Sequence, residues 1–223
     1  AAYYATGIFN FTQILDIVSK RAIYMDEDTK KTLGSMAAII GLDYETVQNV
    51  CTSLSTQGVI QVANLNEYKQ YVISGEEKLV QLAIEQLKTL GARRAILLKT
   101  SGAFHTPLMQ DASKKLVSYI KNNVILSPKQ SDINMYMNLD AQVLNEKDIY
   151  KHIEKQMTHP VLFIDMIHQM KKDGITHILE IGPGKVLTNL IRKIDDQIEV
   201  TNFDHLDSLE SVKGWLSTYG FTK

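Results

Sequence analysis

Met36-Ala-Ala-Ile-Ile40 and Arg94-Ala-Ile-Leu-Leu98 are short apolar runs near the two ends of the stretch 34–98, and the pattern between them decides how the chain is built. Residues 36–40 read as a strand, 43–57 as a helix opened by an Asp43 cap, 59–63 and 70–74 as two strands, 76–90 as a helix ending at Gly91, and 94–98 as a strand. The order is β-α-β-β-α-β, an arrangement in which a four-stranded sheet carries both helices on one face. Leu79, Ala83, Leu87 and Leu90 form the apolar stripe of the second helix, and Val47, Val50, Cys51 and Leu54 that of the first, so Cys51 reads as core. Asn64, Leu65 and Asn66 fall at the strand-to-strand link. Their side chains either bond the local backbone of a turn or face a ligand.

Working outward, 34–98 is predicted to be a ferredoxin-like small domain inserted into a larger one made of residues 1–33 and 99–223. Downstream comes Lys99-Thr-Ser-Gly-Ala-Phe-His-Thr-Pro-Leu-Met109, where Ser101 and Gly102 end the strand and Thr106 and Pro107 have the character of the cap and first position of a helix. This places His105 between a strand and a helix start. There its backbone is fixed on both sides and its imidazole is able to serve as a general base. Upstream, residues 1–6 read as a helix stopped at Gly7, and Thr12 as the cap of a longer helix. That helix presents Ile14, Leu15, Ile17, Val18, Ala22 and Met25 and continues toward Leu33. Arg21 lies beside this apolar side; read locally, it is a solvated arginine paired with Asp16 or a neighbouring acid.

Beyond residue 109 the expected order is a helix to about Asn122, a loop at Pro128, a strand over 133–137, a loop at 138–140, a helix over 147–157, and a helix starting at Pro160 and closed by Gly174. Thr176-His-Ile-Leu-Glu-Ile-Gly-Pro-Gly-Lys185 then reads as strand and tight glycine turn leading into a helix. It is not a nucleotide-hydrolysing P-loop: Val186 stands where Ser or Thr is needed, and the spacing of the first glycine is wrong. A strand over 198–203 and a helix through Leu209, Val212, Trp215 and Leu216 complete the chain.

Composition narrows the function classes. The 24 basic and 25 acidic residues nearly cancel, which gives no global field favouring nucleic acid or an anionic membrane. One cysteine excludes an internal disulfide framework and a cysteine-based zinc site, and His168 has no ligating residue one turn on to build a metal pair. No apolar run approaches the roughly 20 residues of a membrane span, and the first residues lack signal-peptide character. The expected location is the cytoplasm, with no cofactor.

Taken together, the motifs resemble the malonyl-CoA:acyl-carrier-protein transacylases, the acyltransferases of fatty acid and polyketide synthesis. Gly7-Ile-Phe-Asn-Phe11 is similar to the turn after that family's nucleophile helix, Lys20-Arg21 with Met25 to its substrate-arginine helix, and Gly34-Ser-Met-Ala-Ala38 to the start of its inserted domain. Ser101-Gly-Ala-Phe-His105 resembles its histidine motif and Glu180-Ile-Gly-Pro-Gly-Lys-Val-Leu187 its glycine turn. The resemblance implies an α/β fold with an α/β-hydrolase-like large domain built on a parallel sheet. It also implies malonyl transfer from malonyl-CoA, through an acyl-serine, to the phosphopantetheine thiol of acyl carrier protein.

In that scheme His105 is the catalytic base, Arg21 holds the malonyl carboxylate, and Met25, Asn64 and Phe104 complete the substrate-binding set. The histidine is expected to be oriented by a main-chain carbonyl, at His159 in this chain. The family's Gly-x-Ser-x-Gly nucleophile turn does not occur in these 223 residues. The resemblance places it ahead of Ala1, on an amino-terminal part of the large domain that this sequence lacks. Two other readings stay open, a noncatalytic fragment that binds carrier protein and an acyl hydrolase; a carboxylate clamp at Arg21 has no use in the latter.

Overall fold

In the computed structural model, which describes residues 1–127 and 132–221, the chain divides into two compact units, one spanning Ala1–Met166 and the other running from Ile167 onward. The first begins with a one-turn helix α1 (Ala2–Ala5) closed by Gly7 at φ +77° and a long helix α2 (Phe11–Thr29). Asn10, not Thr12, starts α2. Asn10 Oδ1 accepts from the Gln13 amide at 2.9 Å while Gln13 Oε1 accepts from the Asn10 amide at 2.8 Å, a reciprocal box that a threonine two positions later cannot complete. The helix also stops short of Leu33, and only part of its apolar side is covered: Ile17 and Met25 are buried, whereas Leu15 and Val18 are 55 % and 57 % exposed.

The stretch 34–98 then forms β1 (Gly34–Ile40), α3 (Tyr44–Leu54), β2 (Ile60–Glu67), β3 (Gln70–Glu76), α4 (Glu77–Thr89) and β4 (Arg94–Leu97). All four strands pair antiparallel in the order β2-β3-β1-β4. Asp43 caps α3 through the Thr46 amide at 2.8 Å, as its sequence position indicates. The Asn64–Asn66 turn expected from sequence is instead strand. β2 continues to Glu67 through two register shifts, and Tyr68 and Lys69 make the turn. Bulges lengthen the strand past the polar residues that suggested its end.

After β4 a 3₁₀ turn over Pro107–Met109 leads into α5 (Gln110–Asn123), with Thr106 as the expected cap. Helix α6 (Ile149–Lys155) follows a 3₁₀ turn at Glu146–Asp148, and α7 is Phe163–Lys172. Residues 133–137 are not a strand; Tyr136 makes a single bridge with Val143. Pro160 does not open a helix either. It lies in an extended segment whose Val161 donates its amide to the Ala63 carbonyl at 2.8 Å and accepts from the Leu65 amide at 2.9 Å, extending the free edge of β2 by one residue. The expected loop at Pro128 lies outside the described residues. The core of this unit sets Ile17 and Met25 of α2 against Met109, Ala112, Leu116, Ile120, Ile149 and Ile153.

The second unit holds β5 (His177–Ile181), α8 (Val186–Ile194), the parallel partner strand β6 (Glu199–Phe203) and α9 (Leu209–Thr218). Among the described residues this is the one parallel strand pair. The glycine turn before α8 needs its glycines for positive φ, +146° at Gly182 and +83° at Gly184. Neither is pressed against a neighbour. Glu180 completes the turn: its carboxylate accepts from the amides of Leu187 and Thr188 at 3.0 and 2.8 Å and from the Thr188 hydroxyl at 2.7 Å. The turn over residues 182–185 is therefore closed by a helix cap. No helix among the described residues is long and apolar enough to cross a membrane.

Candidate active site

The loop from Thr100 to His105 is clamped from two sides. A Cβ on Gly34 would lie 2.6 Å from the Ala103 Cβ and 2.8 Å from its amide nitrogen, and one on Gly102 would lie 2.3 Å from Thr29 Cγ2. Only glycines let the loop lie this close to the start of β1 and the end of α2. The Thr106 hydroxyl, fully buried, donates back to the Ala103 carbonyl at 2.7 Å. Phe104 packs against both the helical core and the sheet residues Met36, Ala63 and Val72.

Held this way, His105 adopts φ +59°, a left-handed conformation unusual for a residue with a side chain. Gln61 of β2 donates its side-chain amide to the His105 carbonyl at 2.6 Å. On the ring, Nδ1 lies 2.9 Å from the Gln156 carbonyl oxygen at the end of α6. A carbonyl only accepts, so Nδ1 carries the proton and Nε2 of the neutral ring keeps its lone pair. The orienting carbonyl is thus that of Gln156, where the family resemblance pointed to His159; the His159 backbone also acts favourably on the ring's charged form. Burial pulls the His105 pKa below its ordinary value, the Gln156 carbonyl opposes that, and the charge of Arg21 adds to the lowering. A ring so tuned is neutral at neutral pH and ready to take a proton.

Arg21 lines a cavity of about 400 Å³ together with Ile17, Met135, Asn138, Gln156 and other residues. Burial lowers its pKa, and no acidic neighbour counteracts the shift. Asp16, the partner suggested by local reading, instead accepts from the Tyr119 hydroxyl at 2.6 Å. A half-buried guanidinium without a carboxylate, beside an apolar cavity, is a site for an anionic group. Gln156 joins the two features, since it lines this cavity and its carbonyl holds His105.

Of the residues named from sequence, Arg21, Phe104 and His105 come together here. Met25, 8 % exposed, is part of the core beneath them. Asn64 lies half-buried on β2 next to the Val161 bridge, three residues along the strand from Gln61. Sequence reading missed Gln156 and Gln61. Gln156 acts through its main chain, which leaves no mark on residue identity, and in the sequence Gln61 is indistinguishable from any other polar residue on an edge strand.

No family model matches the chain. It is 36 % identical over 213 residues to the malonyl CoA-acyl carrier protein transacylase of Staphylococcus aureus strain MRSA252, covering 95 % of this chain and 67 % of that protein. Among solved structures it is similar to the malonyl-CoA:acyl carrier protein transacylase of Xanthomonas oryzae pv. oryzae, with TM-score 0.90, 30 % identity, and coverage of 95 % of this chain and 67 % of the other. It is also similar to a malonyl-transacylase solved in complex with its type II PKS acyl-carrier protein, with TM-score 0.88, 28 % identity and coverage of 93 % and 67 %.

Proposed function

The chain belongs to the malonyl-CoA:acyl-carrier-protein transacylase family, and from that premise we propose that it moves a malonyl group from malonyl-CoA to the phosphopantetheine thiol of acyl carrier protein in fatty acid or polyketide biosynthesis. The observation that carries this reading is the half-buried Arg21, unpaired with any acid among the described residues and lining a cavity whose Gln156 also holds His105. A malonyl thioester brings one carboxylate and one electrophilic carbonyl, which are the two things an arginine clamp and an adjoining base have use for.

In the first half-reaction Nε2 of His105 takes the proton of a serine hydroxyl as its oxygen attacks the thioester carbonyl. The C–S bond breaks, CoA leaves with the proton returned by His105, and malonyl-serine remains. In the second half-reaction the carrier thiol gives its proton to Nε2 and its sulfur attacks the acyl carbonyl; the C–O bond to serine breaks, His105 returns the proton to the serine oxygen, and the malonyl group stays on the carrier as a thioester. Arg21 grips the malonyl carboxylate through both steps with a planar two-toothed contact, Phe104 flanks the base, and Met25 supports the site from the core beneath it. None of the chain's own serines stands in a Gly-x-Ser-x-Gly turn, so the attacking serine of this scheme is not assigned to a residue of this sequence.

We assign residues 1–33 and 99–223 to an α/β-hydrolase-like large domain and 34–98 to a ferredoxin-like small domain. The four antiparallel strands in the order β2-β3-β1-β4, all from within 34–98, support the second assignment. The location is cytoplasmic, where malonyl-CoA and carrier protein meet. Mass spectrometry of holo acyl carrier protein incubated with malonyl-CoA and the intact enzyme should show a malonyl adduct that Arg21→Ala largely removes. Unmodified carrier protein in the wild-type reaction would refute the assignment.

A further inference from the structure

We propose that Gln61 is a positioning residue for His105, acting through its main chain. The inference rests on the reading of His105 as the base. Gln61 lies on β2, the edge strand of the four-stranded sheet, in register with Ser74 of β3. Its Nε2 reaches the His105 carbonyl at 2.6 Å, the only side-chain bond among the described residues from the sheet to that residue. The bond falls where the backbone is in the left-handed region, a conformation that an L-residue leaves unless its surroundings over-determine it.

Two constraints on the loop come from glycine-permitted close approach, at Gly34 and Gly102, and both act before Phe104. Thr106 fixes the residue after His105. Gln61 is the contact that fixes the carbonyl of His105 itself, and thereby the peptide plane that sets the direction of its side chain. If that plane turns, Nδ1 leaves the Gln156 carbonyl and the tautomer with a free Nε2 is no longer selected. Gln61 thus holds the base in its tautomer and orientation from a strand that the sequence order places 44 positions away.

The test is nuclear magnetic resonance of the His105 imidazole in the intact protein, its signal identified by loss in His105→Gln, across a pH titration. In wild type the neutral ring should be protonated at Nδ1 and titrate below a free histidine. In Gln61→Met, which keeps the length but has no donor, the ring should populate the Nε2-protonated tautomer and its midpoint should fall further, because the Gln156 carbonyl that favours the charged ring is lost. Gln61→Asn, too short to span the contact, should give the same signature with a smaller change in side-chain chemistry. For malonyl transfer, kcat should fall roughly tenfold in both variants with KM within about twofold, the loss of one hydrogen bond read at the chemical step. An unchanged tautomer and midpoint in whichever variant folds would overturn the proposal, even if activity or thermal stability fell, because a merely structural role predicts that pattern. The tautomer does not depend on turnover, so the two readings fail separately. Full transfer activity in His105→Gln would remove the base assignment, while an unaltered ring would remove Gln61.

Discussion

At Arg21 a positive charge is held half-buried without an acid among the described residues to neutralise it, and the proposed malonyl clamp rests on that. Replacing it by alanine should lower kcat/KM for malonyl transfer by roughly 30- to 1000-fold, the equivalent of about 2–4 kcal/mol for a charge-assisted two-toothed contact. Acetyl transfer should be unchanged or improved, and lysine should rescue malonyl transfer only in part. Steady-state kinetics with both thioesters decides this; an equal loss for the two acyl groups would return Arg21 to a structural role. His105 gives the matching pH prediction. Burial and the Arg21 charge both hold its pKa down, so the acid limb of kcat/KM should lie below that of an ordinary histidine. Removing the charge in Arg21→Met should move that limb upward in residual acetyl transfer. A pH–rate profile that did not shift would mean that the guanidinium does not act on the ring.

Helix α5, which follows the histidine, is anchored by a residue outside its own segment. Asp28, buried near the end of α2, accepts from the Ala112 amide at 2.7 Å in the first turn of α5, and Lys31 bridges Asp28 and Asp111 at 2.7 and 2.6 Å. An aspartate on a different helix thus serves as the N-terminal cap. Asp28→Ala should destabilise the protein by about 2–3 kcal/mol, since the cap and a buried partner for the amide go together. Asp28→Asn, which keeps an acceptor, should lose less. Urea denaturation of the two variants would compare them, and equal midpoints would dismiss the cap. Gly34→Ala probes the other anchor, where the added methyl would sit 2.6 Å from the Ala103 side chain. It should cost about 1–3 kcal/mol of stability as overpacking does. It should also lower kcat more than the stability loss explains, because the displaced loop carries His105.

For the molecule as a whole, two titrations follow from burial. Cys51 is almost fully buried and its thiol is pushed up to about 12, so it is neither nucleophilic nor ionised in the folded protein. An aromatic disulfide reagent should leave the native protein unlabelled and label one thiol per chain on unfolding; fast native labelling would contradict the buried position. His105 contributes to the pH dependence of folding with a definite sign. Its folded pKa is lowered, so the unfolded chain binds its proton more readily, and the fold loses this contribution as pH falls from about 6.5 through the folded value. Stability of His105→Gln relative to wild type, followed between pH 7 and 5, should therefore rise as the pH drops.

The sequence by itself determined the β-α-β-β-α-β order, the caps at Asp43 and Thr106, the glycine turn before α8, and His105 as a candidate site residue, since these depend on periodicity, capping chemistry and local motifs, while Arg21 entered only through the family resemblance. Tertiary structure decided the rest. Residues 133–137 have strand composition but, among the described residues, pair through one bridge alone, Asn64 and Asn66 have turn composition but are held in β2, and Pro160 begins an extended segment because Val161 is taken up by the sheet edge. The state of Arg21 could not be read from its helix either: Asp16 is close in sequence but committed to Tyr119 of α5. The tautomer of His105 rests on a carbonyl 51 positions away and its peptide plane on an amide 44 positions away. Main-chain partners and long-range hydrogen bonds of this kind have no signature in residue type, because every residue carries a main-chain carbonyl and only the folded chain brings this one within 2.9 Å.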